Sequence, residues 1–146
     1  AITGLLGQYG VRASQFELEI TEYSISSESA AMMGNMRALS SMGFKFALDD
    51  FGTGYSNLGI LQSLPLNVLK VDITFIRAIG TSIKSDELVR AILKMGHTLG
   101  LRVVAEGVES AEQVVFLSAL DCEELQGYYF FKPKSIDELL ECFKRA

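Results

Sequence analysis

The chain has 146 residues, a formal net charge of −5 and 49% hydrophobic residues, values typical of one globular domain or part of one. No apolar run approaches the roughly 20 residues of a membrane-spanning helix, and no basic stripe suggests binding to duplex DNA or RNA. The only cysteines, Cys122 and Cys142, lack metal-ligand spacing and are interpreted as reduced thiols. We therefore expect a cytoplasmic segment without membrane contact, whose parent protein can still be membrane-tethered through other domains.

Strand-like and helical stretches alternate along the chain. The predicted strands cover residues 16–21, 44–49, 68–72, 101–105 and 125–131. The predicted helices cover residues 29–41, 56–64, 85–99, 111–120 and 136–145, and residues up to 9 are interpreted as the end of a further helix. Gly43 and Gly100 stand just before strands, where helix C-caps are expected. This alternation, with apolar and branched strands, indicates a parallel sheet and an α/β fold.

Polar residues share one face of the predicted strands, and charged residues fall near the C-terminal ends of these strands. In the first strand, Glu17, Glu19 and Thr21 alternate with apolar neighbours. The charged residues near the strand ends are Glu19, Asp49, Asp50, Lys70, Asp72 and Glu106. Barrels and doubly wound sheets both place ligands at this edge, so the pattern favours a functional site without deciding between the two folds.

The adjacent carboxylates of Asp49 and Asp50 follow an apolar run over residues 44–48. Two neighbouring acids repel each other, and a hard divalent metal is the cation that oxygen ligands favour between them. Asp-Asp before glycine is also ordinary turn chemistry, and Lys70 and Asp72 can also form a simple ion pair. Charges at four consecutive strand ends nevertheless favour one shared site.

Five motifs follow one another along the chain. They are Glu17-Leu18-Glu19-Ile20-Thr21-Glu22, Asp49-Asp50-Phe51-Gly52-Thr53-Gly54-Tyr55-Ser56, Leu69-Lys70-Val71-Asp72, Ala105-Glu106-Gly107-Val108-Glu109 and Gln126-Gly127-Tyr128. In this order they closely resemble the EAL domain, the family of bacterial cyclic-di-GMP phosphodiesterases. The resemblance covers essentially the whole chain, which is therefore interpreted as the C-terminal part of a single EAL domain over residues 1–146.

This resemblance implies a TIM-like (β/α) barrel that hydrolyses cyclic di-GMP to the linear dinucleotide, using Mg²⁺ or Mn²⁺ in a two-metal site. The metal ligands implied by the matching motifs are Glu19, Asp49, Asp50 and Glu106. Asp49 would bridge the two metals, and Glu106 would ligate directly or through water. Glu106 is also counted among the catalytic residues.

The resemblance assigns roles to residues around these ligands as well. Lys70 matches a lysine beside the attacking water, and Gln126 matches a glutamine close to the metal–water network. A protonated Lys70 would hold hydroxide and a neutral one would act as a general base; we favour the first role because a lysine among carboxylates stays charged.

A loop after the acidic pair is implied to link the metals to a dimer interface. Glu22 and Glu109 match glutamates that act behind the ligands, Glu22 by steadying this loop with its Gly52, Thr53 and Gly54. The expected partners are therefore cyclic di-GMP, a second copy through the EAL domain, and an upstream regulatory domain.

The main departure from the family pattern is in the earlier strands; smaller ones are Asn67, where the family often has Asp, and Asp121, where Gly is usual. The Glu-Ala-Leu motif and an asparagine ligand lie on earlier strands that have no counterpart here, so the chain supplies the last five strands of an eight-stranded barrel. We expect a parent protein that hydrolyses cyclic di-GMP and an isolated segment with negligible catalysis. Two alternatives stay open: a cyclic-di-GMP receptor without hydrolysis, and a scaffold or dimerisation module in which the acids are vestigial.

Overall fold

The computed structural model describes residues 2–26, 30–52, 54 and 58–145. The strands in this part of the chain are β1 (Glu17–Thr21), β2 (Lys45–Phe51), β3 (Val68–Val71), β4 (Arg102–Glu106) and β5 (Glu124–Gln126). The α-helices are α1 (Ile2–Tyr9), α2 (Glu22–Ser26), α3 (Ala30–Ser41), α4 (Leu58–Ser63), α5 (Ile73–Arg77), α6 (Ile83–Thr98), α7 (Ala111–Ser118) and α8 (Ile136–Arg145). No helix of the described residues combines the length and the apolar character needed to cross a membrane.

The five strands form one parallel sheet in the order β1-β2-β3-β4-β5. Each strand is followed by at least one helix, and this arrangement confirms the predicted α/β fold. The guanidinium of Arg102 on β4 pairs with Glu17 on β1 as well as with Glu124 on β5. A contact between β4 and β1, which β2 and β3 separate, requires the sheet to be curved. A curved five-stranded parallel sheet matches part of a TIM-like barrel.

The main core lies between one face of the sheet and the helices. Its fully buried side chains include Leu48, Leu69, Val71, Val103, Ile76, Val89, Leu93 and Leu117. The alternate residues Ala47, Val68 and Val104 form a small apolar cluster of their own on the other face. Burying each large aliphatic side chain contributes about 1.5–3 kcal/mol to the stability of the fold. The helix-facing side therefore stabilises the sheet, and the opposite face is available for polar groups.

The structure corrects the predicted extent of β5. The strand ends at Gln126 instead of residue 131, because the next amides bond in a turn: Phe130 N and Phe131 N both donate to the Gly127 carbonyl. Aromatic residues such as those after Gln126 are common in strands, but here their amides form the hydrogen bonds of a turn. The short helices α2 and α5 were not predicted, whereas Gly43 and Gly100 take the expected left-handed conformation with φ of 98° and 70°.

Candidate metal centre

Lys70 stands at the middle of the charged edge of the sheet and gathers carboxylates from three other strands. Its Nζ lies 2.7 Å from Glu19 Oε1 on β1, 2.9 Å from Asp49 Oδ1 on β2 and 2.9 Å from Glu106 Oε1 on β4. Parallel strands bring their carboxyl ends to the same edge, and the curvature of the sheet closes the remaining distance. The structure thus brings these predicted site residues together.

Burial and charge oppose each other at this cluster. The Lys70 side chain is 9% exposed, whereas that of Glu19 is 52% exposed. Burial disfavours the charged ammonium, but hydrogen bonds to Glu19, Asp49 and Glu106 outweigh it and raise the pKa of Lys70. Burial, with the charges of Asp49 and Glu19, raises the pKa of Glu106 despite the opposing effect of Lys70. The centre therefore combines a firmly protonated lysine with an excess of acidic groups.

A β-bulge explains how Asp49 and Asp50 serve one centre. In a regular strand, adjacent residues point to opposite faces of the sheet. The register between β2 and β3 shifts between Leu48 and Phe51, and Asp50 has a positive φ of 54°. As a result, one carboxylate oxygen from each of Asp49, Asp50 and Glu106 lies within 4.8 Å of the other two.

This donor set fits a hard divalent cation. Three carboxylates supply the oxygen ligands that Mg²⁺, Mn²⁺ and Ca²⁺ prefer. Asp49 Oδ1 is buried, and its partner among the described residues is Lys70 Nζ at 2.9 Å. Buried carboxylate oxygens of this kind are suited to metal ligation. Glu19 contacts the cluster by its ion pair with Lys70 and adds a fourth carboxylate on the solvent-exposed side of the cluster.

Glu22 fastens the turn that follows the acidic pair. It is the first residue of α2 and only 4% exposed, and its Oε2 accepts hydrogen bonds from Gly52 N at 2.9 Å and from Gly54 N at 3.0 Å. Gly52 has a φ of 98°, a conformation that glycine adopts readily. Thr53, Tyr55 and Ser56 from the motif lie outside the described residues. The described contacts join Glu22 to the turn beside the predicted ligands.

The other two predicted site residues take different positions. Gln126 ends β5, pairs in register with Glu106 and has an exposed side chain. Glu109 accepts a hydrogen bond of 2.8 Å from Arg77 Nη2 on α5. The structure therefore places Gln126 next to a cluster residue and ties Glu109 to α5.

Sequence reasoning missed Gln113, which is 9% exposed on α7. Its Oε1 accepts hydrogen bonds from Glu109 N and Ser110 N, and its Nε2 donates to the Ile76 carbonyl at 3.1 Å. The spacing of Ser110 and Gln113 is that of a capping box, a signal that was available in the sequence. Through these bonds, the turn after Glu106 is joined to α5.

Asp72 does not form the ion pair with Lys70 that the sequence left open. It caps α5 instead: its Oδ1 accepts hydrogen bonds from Thr74 N at 2.8 Å and Thr74 Oγ1 at 2.5 Å. Among the described residues, the ion-pair partners of Lys70 are Glu19, Asp49 and Glu106. Asp72 thus supports the fold directly after Lys70 without contributing to the charged cluster.

Comparisons with known proteins agree with this geometry. The EAL domain family matches residues 1–133. The cyclic di-GMP phosphodiesterase NbdA of Pseudomonas aeruginosa is 43% identical over 141 residues, which are 97% of this chain and 18% of NbdA. An uncharacterized signaling protein of Caulobacter vibrioides is 43% identical over 130 residues, 89% of this chain and 16% of that protein. The chain thus spans about a sixth of the length of these curated relatives.

A solved phosphodiesterase structure resembles the fold closely. PaMucR in complex with cyclic di-GMP superposes with a TM-score of 0.88 and 37% identity, covering 94% of this chain and 56% of the other. Klebsiella pneumoniae BlrP1 with manganese and cyclic di-GMP gives a TM-score of 0.78 and 33% identity, covering 85% and 32%. BlrP1 has also been solved with calcium and cyclic di-GMP. Divalent metals and the dinucleotide therefore occur together in structures of this fold.

Proposed function

The chain belongs to the EAL domain family, and from this premise we propose that the protein containing it hydrolyses one phosphodiester bond of cyclic di-GMP to give the linear dinucleotide. One observation supports the proposal above all: Asp49, Asp50 and Glu106 converge beside Lys70 at the carboxyl edge of a parallel sheet. The name of NbdA and the ligands in PaMucR and BlrP1 support the choice of cyclic di-GMP as substrate.

Glu19, Asp49, Asp50 and Glu106 would hold two Mg²⁺ or Mn²⁺ ions. When bound, such ions lower the pKa of coordinated water and stabilise charge on phosphoryl oxygens. The carboxylates come from three different strands, whose parallel pairing brings them to one edge of the sheet. Manganese in BlrP1 supports this choice of metal, and the all-oxygen donor set agrees with it.

Lys70 would act in this reaction as a fixed positive charge. Its ammonium lies 2.7–2.9 Å from three carboxylate oxygens, which favour the protonated form over a role as general base. A buried ammonium aimed at the cluster would orient a hydroxide and stabilise negative charge that develops during in-line displacement at phosphorus. Gln126, beside Glu106, would hydrogen-bond water in the same region, and Glu22 would hold the turn after Asp50.

The test is Asp49→Asn in the full-length protein, which removes a central anionic ligand with little change in shape. We expect formation of the linear dinucleotide to fall by at least about 100-fold in the presence of Mg²⁺ or Mn²⁺, because metal-held chemistry needs the carboxylate. Glu87→Gln, on the exposed surface of α6, is the matched control and should keep full activity. Near wild-type turnover by Asp49→Asn would disprove the assignment.

The remaining expectations from the sequence stay predictions. Negligible catalysis by the isolated chain would be contradicted by measurable linear product from the purified segment. A receptor without hydrolysis would bind cyclic di-GMP and release no product, whereas a scaffold would bind neither the dinucleotide nor metal. Homodimer formation and a regulatory domain outside residues 1–146 are tested by the mass and sequence of the full-length protein.

A further inference from the structure

The five-residue helix α5 follows the strand of Lys70 and touches both turns that come after the clustered acids, at Gly52 and Gly107. A Cβ placed on Gly52, just after Asp50, would lie 2.4 Å from Phe75 Cε2. A Cβ placed on Gly107, just after Glu106, would lie 2.1 Å from Ile73 Cγ1. Such short distances mean that the two side chains of α5 pack directly on the backbone of these turns.

Helix α5 is itself fixed from several sides. Asp72 caps its first turn, and Ile76 is fully buried in the main core. Gln113 of α7 donates to the Ile76 carbonyl at 3.1 Å, and Arg77 donates to Glu109 Oε1 at 2.8 Å. These contacts join α5 to β3, to the core and to the segment after Glu106. A short helix held in this way can serve as a rigid support for neighbouring turns.

The two turns lack side chains of their own at the points of contact. Gly52 and Gly107 have φ values of 98° and 71°, so both bend sharply and present bare backbone. The Phe75 ring rests on one and the Ile73 side chain on the other. Both turns are therefore in contact with one helix, through two side chains that stand two positions apart on it.

We propose that Phe75 and Ile73 are positioning residues that fix the separation between the Asp49–Asp50 pair and Glu106, and with it the affinity of the centre for divalent metal. This inference rests on the metal centre of the proposed function. Neither residue supplies a ligand; both act through the turns that they support. Groups behind the ligands commonly alter metal affinity by 10-fold to 100-fold when they are changed, because ligation depends on sub-ångström placement.

Phe75→Leu tests the inference. Leucine keeps apolar volume in the core but lacks the Cε2 and Cζ atoms that lie against Gly52. We expect Mn²⁺ binding by the metal-free full-length protein, measured by calorimetry, to weaken by about 10-fold or more. Phe116→Leu is the matched control: it makes the same change on α7, where the ring packs beneath Arg90, and should leave Mn²⁺ binding at the wild-type value.

Each outcome decides the question. Unchanged Mn²⁺ affinity in Phe75→Leu, or an equal loss in Phe116→Leu, would overturn the inference while leaving the metal centre intact. Absence of Mn²⁺ binding by the wild-type protein would instead overturn the proposed function. Should Phe75→Leu fail to fold, the milder Ile73→Val, which removes the Cδ1 atom near Gly107, decides by the same titration: weaker binding supports the inference and unchanged binding refutes it.

Discussion

Lys70 Nζ and Glu19 Oε1 lie 2.7 Å apart although their strands, β3 and β1, are separated by β2. Neighbouring strands lie about 4.8 Å apart in a sheet, so a direct contact across an intervening strand requires curvature and a long side chain. Lysine provides the length, and its charge balances part of the acidic cluster. The ammonium therefore has a structural effect on the centre as well as its proposed chemical one.

Removal of the Lys70 ammonium should destabilise the metal-free protein. In Lys70→Met, an apolar chain of similar length leaves Glu19, Asp49 and Glu106 without their shared cation. We expect a loss of about 3 kcal/mol in the free energy of unfolding with a chelator present, the lower end of the range for breaking a buried ion pair, since Glu19 is half exposed. Urea unfolding of the full-length protein measures this loss.

The same variant should respond more strongly to metal. Without the ammonium, the carboxylates repel one another more and attract a cation more, so Mn²⁺ should raise the melting temperature of Lys70→Met further than that of the wild type. Lys84→Met, an exposed lysine in the first turn of α6, is the control and should change neither quantity. Equal stability of Lys70→Met and the wild type in chelator would contradict the prediction.

Replacement of Glu22 should loosen the turn after the acidic pair. Glu22→Ala removes the acceptor for Gly52 N and Gly54 N, and we expect a loss of about 1–3 kcal/mol in the free energy of unfolding. Hydrogen exchange should show faster exchange at these two amides. Glu22→Gln retains one carbonyl acceptor and should recover part of the protection; full protection in Glu22→Ala would show that other contacts hold the turn.

The thiol of Cys122 should be unreactive in the folded protein. Burial, helped by the charge of Glu123, raises the pKa of Cys122 to about 11. At pH 8 the thiolate fraction is then about 100-fold below that of a thiol with a pKa of 9, and alkylation by iodoacetamide should slow by about that factor relative to protein unfolded in urea. Mass spectrometry of peptides that contain Cys122 measures both rates, and equal rates would exclude the raised pKa.

The same shift predicts a pH dependence of stability. The folded state keeps the Cys122 proton to higher pH than the unfolded chain does. The contribution of Cys122 to the free energy of unfolding is therefore intact below pH 9 and is lost as the pH rises from 9 to about 11. Cys122→Ala should therefore show a shallower decline of the free energy of unfolding in this interval. A decline as steep as that of the wild type would refute the assignment.

The sequence predicted the sheet and the members of the cluster because both depend on regular rules. Apolar strands that alternate with helices give a parallel sheet, and charges at strand ends then meet at one edge. Lys70, Asp49 and Glu106 obey these rules, and the structure brings them together. The EAL domain match confirms the family that their motifs indicated.

The features that were missed depend on contacts between distant segments. The left-handed conformation of Asp50 arises from a bulge against β3, which strand periodicity cannot reveal. Asp72 looked like a partner for Lys70 because the two residues share a strand face, but the helix that begins after it uses its carboxylate as a cap. The aromatic residues after Gln126 have strand propensity, yet the turn at Gly127 determines their hydrogen bonds.

The bulge in β2 has a consequence for protein design. A designer who transplanted Asp49 and Asp50 into an evenly pleated strand of another scaffold would send one carboxylate into the opposite layer. Transferring the chemistry would require the irregular step between Leu48 and Phe51 together with its unusual φ at Asp50. A transfer to another scaffold must therefore include this backbone conformation, because it sets the directions of the two side chains.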